Sequence, residues 1–266
     1  MKNFALIGKN IGHSISPFLH QEIARIYNLK LTYQILDLQT GGQLEEVIQK
    51  LKKKELHGAN VTIPYKEDIL IYLDDITYEA KQIGAINTIF LDNKIAVGAN
   101  TDYNGLIGLI RHSKIHIKDK NVIILGTGGA SKAALKVCKD LGANVTIVTR
   151  DKQNKTMHDK IITYNELDPL IYDVVINATP IGMFPNVDAS PLKSEFVKDK
   201  IVIDLIYNPV ETKMMKEAKI AIGGMDMLII QAIQSESLWF KKKLEITDEI
   251  ISELRSLCNE YIRNTF

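Results

Sequence analysis

The chain lacks most of the features that commit a protein to one environment. It has only two cysteines in 266 residues, Cys138 and Cys258. They lie far apart and match no metal-ligand spacing, so buried free thiols in a reducing cytosol are expected. Charge of one sign is also missing. Lys and Arg number 33 against 32 Asp and Glu, a net charge of +1, so no global field draws the chain to nucleic acid or to an anionic membrane. No apolar run approaches the roughly 20 residues that cross a bilayer. Met1-Lys2-Asn3-Phe4 leads into an expected strand rather than a signal peptide. Internal repeats and low-complexity segments are absent, and no His/Cys/Asp cluster offers a metal site, so no metal is expected.

What remains is the composition of a soluble globular protein, 45% hydrophobic and 24% charged, long enough for one large domain or two ordinary ones. Apolar runs read as strands at 4–7, 32–37, 57–63 and 86–91, with a hairpin return at 94–98. Helical segments fall after Pro17, near 43–53 and after Asn100. This alternation predicts a mainly parallel sheet covered on both faces. A polar connector, 114–121, suggests a boundary near its start. Beyond it come strands at 122–125, 145–148, 173–176, 201–205 and 219–222, then two helices, 227–243 and 248–263. Those helices have no sheet of their own and are expected to dock back on the first domain.

Three stretches carry chemistry. In Gly58-Ala59-Asn60-Val61-Thr62-Ile63-Pro64-Tyr65-Lys66, Asn60 and Thr62 share one face of a strand that stops at a proline. Pro64 is expected to open a helix with Lys66 in its first turn. The plain reading of Lys66 is a solvated lysine. In Gly12-His13-Ser14-Ile15-Ser16-Pro17, two hydroxyls flank a helix start, where they suit a cap or an anion equally. In Asn100-Thr101-Asp102-Tyr103, Asp102 reads as an N-cap or as an acid at the head of the next helix.

The run Val122-Ile123-Ile124-Leu125 is followed at once by Gly126-Thr127-Gly128-Gly129-Ala130 and a helix, then by a second strand. This is the dinucleotide-binding arrangement: the glycines permit a tight turn and bring backbone N–H groups to a pyrophosphate at the helix N-terminus. An acidic residue at the end of the second strand would hold a ribose diol. Here the end reads Thr149-Arg150-Asp151-Lys152. Arg150 and Lys152 suit a 2′-phosphate, which favours NADP, while Asp151 opposes it.

Taken in order, Ser14-Ile15-Ser16, Asn60-Val61-Thr62-Ile63-Pro64-Tyr65-Lys66, Gly84-Ala85-Ile86-Asn87-Thr88, Asn100-Thr101-Asp102-Tyr103-Asn104-Gly105, the glycine turn, Asn177-Ala178-Thr179-Pro180 and Met227-Leu228 with Gln231-Ala232 resemble the shikimate dehydrogenase family. The likeness covers nearly the whole chain. It implies NADP-linked reduction of 3-dehydroshikimate to shikimate, in aromatic amino-acid biosynthesis. It implies an α/β protein of two domains: a substrate domain at 1–112 completed by C-terminal helices at 233–266, and a Rossmann domain at 113–232, with a cleft between them. By resemblance Lys66 and Asp102 are the catalytic pair. Ser14, Ser16 and Thr62 hold the substrate carboxylate. Asn60, Asn87, Asp102 and Gln231 contact ring hydroxyls or position the pair, and Tyr207 joins the substrate set. The cofactor set comprises Gly126, Gly128, Gly129, Ala130, Thr149, Arg150, Lys152, Thr179, Met183 and Gly224. Two positions depart from the family: Thr149-Arg150-Asp151 keeps only the central arginine of the usual Asn-Arg-Thr or Asn-Arg-Ser, and Asp226 replaces a glycine.

The residues support the same chemistry independently. A ketone reduction needs a hydride donor, a proton donor at the developing alkoxide and a grip on the rest of the substrate. A lysine ammonium beside the carbonyl does the second task, and a nearby carboxylate keeps it charged. Two other readings differ in substrate or in class: a quinate-accepting relative using NAD, and a catalytically silent NADP-binding regulator. A cytoplasmic monomer or homodimer, with a small-molecule substrate and neither nucleic acid nor membrane as partner, is expected.

Overall fold

The computed structural model describes residues 1–152 and 160–266. The chain forms two compact units, Met1–Gly105 with Ile229–Phe266, and Leu106–Leu228. The divides fall inside helices rather than at residues 112 and 232, so Gln231 belongs to the first unit.

In the first unit β1 (Lys2–Gly8), β2 (Leu31–Asp37), β3 (Gly58–Val61), β4 (Asp75–Ile76), β5 (Thr88–Asp92) and β6 (Ile95–Ala99) form one sheet in the order β2-β1-β3-β5-β6-β4. The pairs β1–β2, β1–β3 and β4–β6 are parallel, whereas β5 runs antiparallel to β3 and β6. The sheet is therefore mixed. Its antiparallel part is β5 against β3 and β6, and β5 and β6 form a hairpin whose turn residues Asn93 and Lys94 both have positive φ, 46° and 74°, matching the twist of the flanking strands. Helices α1 (Ser16–Ile26), α2 (Leu44–Lys52) and α3 (Tyr78–Ile83) accompany these strands.

Strand β1 is buried on both faces, and its side chains alternate between two clusters. Ala5 and Ile7 pack with Leu44, Val47, Ile48 and Leu51, the helical stripe of α2. Phe4 and Leu6 pack with Tyr33 and Trp239 on the other side. Trp239 comes from α7 (Met225–Phe240). Its ring stacks on Phe4 at 4.4 Å and its Nε1–H donates to the Ile89 carbonyl at 3.1 Å. A Cβ on Gly58 would stand 2.4 Å from the indole, so β3 carries a glycine where the tryptophan lies flat. Helix α8 (Asp248–Thr265) packs on α1 through stacked Phe18 and Tyr261, 4.2 Å apart. The C-terminal helices complete this unit.

Two local expectations are corrected. Residues 63–67 form turns, not a helix, and lead into a 3-10 helix, Asp68–Tyr72. Ile63 has no side-chain oxygen to cap a helix opened by Pro64, and Tyr65 N–H closes back on the Thr62 carbonyl at 2.9 Å. Strand β5 begins at Thr88, two residues later than read, because Asn87 N–H and carbonyl pair with Ala99 and Val61 outside the regular ladder. Strand β4 and helix α3 were not anticipated.

The second unit contains most of α4 (Thr101–His112), then β7 (Asn121–Leu125), α5 (Gly129–Asp140), β8 (Asn144–Thr149), β9 (Lys160–Thr163), β10 (Val174–Asn177), β11 (Ile201–Asp204), α6 (Lys213–Lys216) and β12 (Ile220–Gly223), and ends in the first turn of α7. Its sheet runs β12-β11-β10-β7-β8-β9, parallel throughout. Ile123, Leu125, Val148, Val175 and Val202 face one side of it and pack with Met214 and Met215 of α6. The strand order reverses beside β7, the switch point at which doubly wound sheets open for ligands.

Candidate active site

The register of the first sheet sets Asn60 opposite Thr88, and Thr88 opposite Ala99. Asn87, Thr88, Thr101 and Asp102 therefore converge where β5 begins and β6 gives way to α4. Lys66, on the turn after β3, extends Nζ to Asp102 Oδ2 at 2.6 Å. The two side chains are 14% and 9% exposed, so the pair is largely withdrawn from water yet keeps an open edge. The other carboxylate oxygen, Oδ1, accepts from Asn87 Nδ2 at 2.8 Å. Both bonds are charge-assisted, the strong kind.

Behind the pair lies a buried polar network that the sequence did not reveal as a unit. Asn87 Nδ2 also donates to Thr101 Oγ1 at 2.9 Å, and Asn87 Oδ1 accepts from Thr101 N–H at 2.6 Å. Ser235 of α7 donates to the Gln231 carbonyl at 2.9 Å and lies 2.9 Å from Thr88 Oγ1 and 3.1 Å from Thr101 Oγ1. Gln231 Oε1 approaches Asn87 and Thr101 at 3.3 Å each. Asn60 Nδ2 donates to Ser235 at 2.9 Å and Thr88 at 3.2 Å, while its Oδ1 accepts from Tyr33 at 2.8 Å and faces His20 Nε2 at 3.1 Å. His20 Nδ1 meets Glu236 Oε1 at 2.8 Å. Asn60 thus spends both ends of its amide inside the protein.

His20, Tyr33, Ser235 and Glu236 were missed from sequence. One signal was available. Helix α7 is apolar on nearly every face, and a glutamate in such a helix needs a buried partner.

Ser14 and Ser16 stand outside this network. Ser14 Oγ accepts the Ser16 N–H at 3.2 Å and donates to Ser16 Oγ at 3.1 Å. Helix α1 takes Ile15 as N-cap with no side-chain cap bond, so its opening N–H groups, with two hydroxyls beside them, suit a carboxylate. Thr62, half-buried, follows β3 directly.

In the second unit β7 runs into Gly126, whose φ is +104°. A Cβ there would be strained and would stand 3.1 Å from Thr179 Cγ2. Helix α5 begins at Gly129 behind Gly128, with no side-chain cap. A Cβ on Gly128 would meet nothing within 4 Å. Bare amides and open room at the head of a 12-residue helix fit a dinucleotide pyrophosphate. Ala130 lies in that first turn. Thr179 is held by Asn177 Oδ1 at 2.7 Å, and Asn177 Nδ2 donates to Asp204 at 3.0 Å. Burial pushes the Asp204 carboxyl above its usual range, opposed by hydrogen bonds from Thr212, Ile206 and Asn177. Met183 is half-buried in the loop after β10, and Tyr207 follows β11. Gly224 has a packing reason: a Cβ would stand 2.3 Å from the Leu205 carbonyl oxygen.

Thr149 ends β8 buried, and Arg150 is exposed beyond it. Lys152 instead pairs with Glu166 Oε1 at 2.6 Å. That hydrogen bond, with two from Thr163, holds the Glu166 carboxyl down at about 2. Asp226 pairs with His112 Nδ1 at 3.1 Å. Among the described residues no group of three or more His, Cys, Asp or Glu is placed to hold a metal, and no helix is long and apolar enough to cross a membrane.

A parallel sheet with a glycine turn at its switch point, alongside an α/β unit carrying a lysine–carboxylate pair, defines a two-unit protein of the Rossmann dinucleotide-binding class. A family model described as "Shikimate dehydrogenase substrate binding domain" matches residues 6–89. The chain is 37% identical over 255 residues to a shikimate dehydrogenase (NADP(+)) of Clostridium beijerinckii, covering 92% of this chain and 94% of that protein. The crystal structure of shikimate dehydrogenase 1 from Peptoclostridium difficile superposes with a TM-score of 0.91 at 38% identity, over 98% and 99% of the two chains. The Thermus thermophilus enzyme in complex with NADP(H) and shikimate gives 0.83 at 28% identity, over 97% and 99%. The chain belongs to the shikimate dehydrogenase family.

Proposed function

We propose that this chain catalyses the reversible NADPH-dependent reduction of 3-dehydroshikimate to shikimate, the step of aromatic amino-acid biosynthesis for which its relatives are named. The observation that carries the reading is the 2.6 Å contact between Lys66 Nζ and Asp102 Oδ2, with Asn87 on the second carboxylate oxygen. When bound, NADPH supplies the hydride. Lys66 donates a proton to the substrate oxygen as negative charge develops there, and in the reverse direction takes it back. Asp102 aims the lysine, and Asn87 fixes the carboxylate in turn. Ser14, Ser16 and Thr62 take the substrate carboxylate. Gln231 and Tyr207 complete the substrate set, and Asn60 serves from behind the pair.

In this reading the first unit takes the substrate and the second takes NADP on Gly126, Gly128, Gly129 and Ala130. Arg150 grips the 2′-phosphate, with Thr149, Thr179, Met183 and Gly224 shaping the rest. Lys152 contributes less, because Glu166 already engages it. The enzyme works in the cytoplasm as a monomer or homodimer, without nucleic acid or membrane as partner. The test is spectrophotometric: shikimate oxidation with NADP and NAD in parallel, with quinate as competitor substrate. Turnover of shikimate with NADP well ahead of the other combinations is expected. No turnover of shikimate with either cofactor refutes the reading.

A further inference from the structure

The buried pair His20–Glu236 has no part in the chemistry above. The two residues are 1% and 0% exposed, and Glu236 Oε2 is buried without a hydrogen-bond partner. Such a group costs free energy unless something is gained by keeping it.

The proton positions follow from the neighbours. Asn60 has one amide atom 3.3 Å from the backbone carbonyl of Asn87. A carbonyl only accepts, so that atom is the NH2 group, and the amide oxygen faces Tyr33 and His20. His20 Nε2, 3.1 Å from that oxygen, must then carry a hydrogen. A neutral imidazole so protonated presents a bare lone pair at Nδ1, where Glu236 Oε1 lies 2.8 Å away. Two lone pairs cannot face each other at that distance, so one proton sits between them. On the histidine side it would leave a carboxylate with an unpartnered buried oxygen. On the glutamate side it leaves two neutral groups, the cheaper state in a dry interior.

We propose that His20 and Glu236 are positioning residues for the Lys66–Asp102 pair, Glu236 donating its proton to His20 Nδ1 and His20 donating Nε2–H to Asn60. Asn60 is thereby held with its NH2 toward Ser235 and Thr88, and the hydroxyl network passes that orientation to Asn87, whose NH2 holds Asp102 Oδ1. The titratable groups facing His20 and Glu236 are Tyr33 of β2, stacked on the His20 ring at 4.2 Å, and Tyr27 beyond α1. Tyr27 is pushed up to about 12, by burial first and then by Glu236 and Glu245, so its phenol does not ionise at neutral pH.

This inference rests on the proposed dehydrogenase reading for its kinetic test only. His20→Phe/Glu236→Leu replaces a buried polar pair by apolar groups, an exchange that is often neutral or stabilising. The double variant should melt no lower than a few degrees below wild type. Its kcat for shikimate should fall roughly tenfold, the scale on which supporting hydrogen bonds act at metal sites, with KM within about twofold. Glu236→Gln, whose amide still donates to Nδ1, should recover most of that rate. A double variant with kcat within about twofold of wild type overturns the proposal, and so does a Glu236→Gln variant as slow as the double variant. The second measurement needs no turnover: 15N spectra of histidine-labelled protein, with His20 assigned by its substitution. They should show, at neutral pH, a protonated Nε2 and a hydrogen-bonded, unprotonated Nδ1. An imidazolium or the opposite tautomer overturns the proposal. A wild type silent on shikimate refutes the dehydrogenase reading instead and leaves the nitrogen spectra to decide this one.

Discussion

Lys66→Ala separates catalysis from folding most directly. Lys66 Nζ is 2.6 Å from Asp102 Oδ2 and 14% of its side chain is exposed. Breaking a fully buried pair costs about 3–5 kcal/mol, because a lone charge is left behind. Here Asn87 still donates to Oδ1, and water reaches the open edge, so about 1–3 kcal/mol is expected. For a chain of this size that lowers Tm by roughly 2–4 °C per kcal/mol. The variant therefore remains folded at assay temperature. Loss of the proton donor costs about 10²- to 10⁴-fold in kcat, or about 2.7–5.5 kcal/mol of barrier. An interaction made in the transition state shows in kcat more than in KM. Steady-state kinetics with shikimate and NADP, with calorimetric titration of shikimate, give both quantities. A variant that binds shikimate and turns over within a factor of two of wild type removes Lys66 from the chemistry.

Other outcomes follow from the same geometry. Ser14→Ala/Ser16→Ala should raise KM for shikimate and leave the cofactor KM nearly unchanged; if only Tm falls, the hydroxyls serve the helix start alone. Arg150→Ala should weaken NADP binding about tenfold, the low end for an exposed charge-assisted contact, and leave NAD binding unchanged; equal weakening of both would reassign Arg150. Both thiols are buried, and burial pushes Cys138 and Cys258 each up to about 12. Neither should react with a disulfide reagent in native protein at pH 8, whereas both should react once guanidinium unfolds it. Stoichiometric labelling of the native state would contradict that burial.

The alternation of strands and helices, the glycine turn and the pairing of Lys66 with Asp102 were legible because each rests on residues close in sequence or on a resemblance that spans the chain. The hairpin of β5 and β6 was legible too, but the antiparallel pairing of β5 with β3 was not. Strand β5 has an apolar run that suits either direction against β3, and no local pattern fixes that choice. Pro64 favours a first helical turn at Lys66, but Ile63 offers no side-chain cap, and the chain forms turns there instead. The polar network was invisible for a different reason. Its members come from α1, β2, β3, β5, α4 and α7, and no local pattern joins His20 to Glu236 across 216 positions.

The first unit is discontinuous: Met1–Gly105 is finished only by Ile229–Phe266. During synthesis the intervening residues, Leu106–Leu228, form an uninterrupted segment that leaves the ribosome whole while the first sheet is still waiting. Until α7 is made, Phe4 lacks the ring of Trp239, Asn87 lacks Gln231, and Asn60 and Thr88 lack Ser235. Domains ordinarily fold in the order in which they are made. In this chain the unit that begins first cannot be completed until Ile229–Phe266 has been made. A chain halted just after Leu228 therefore has every strand of the second sheet but none of the α7 residues, Gln231 and Ser235, that close the polar network beside Asn60 and Asn87.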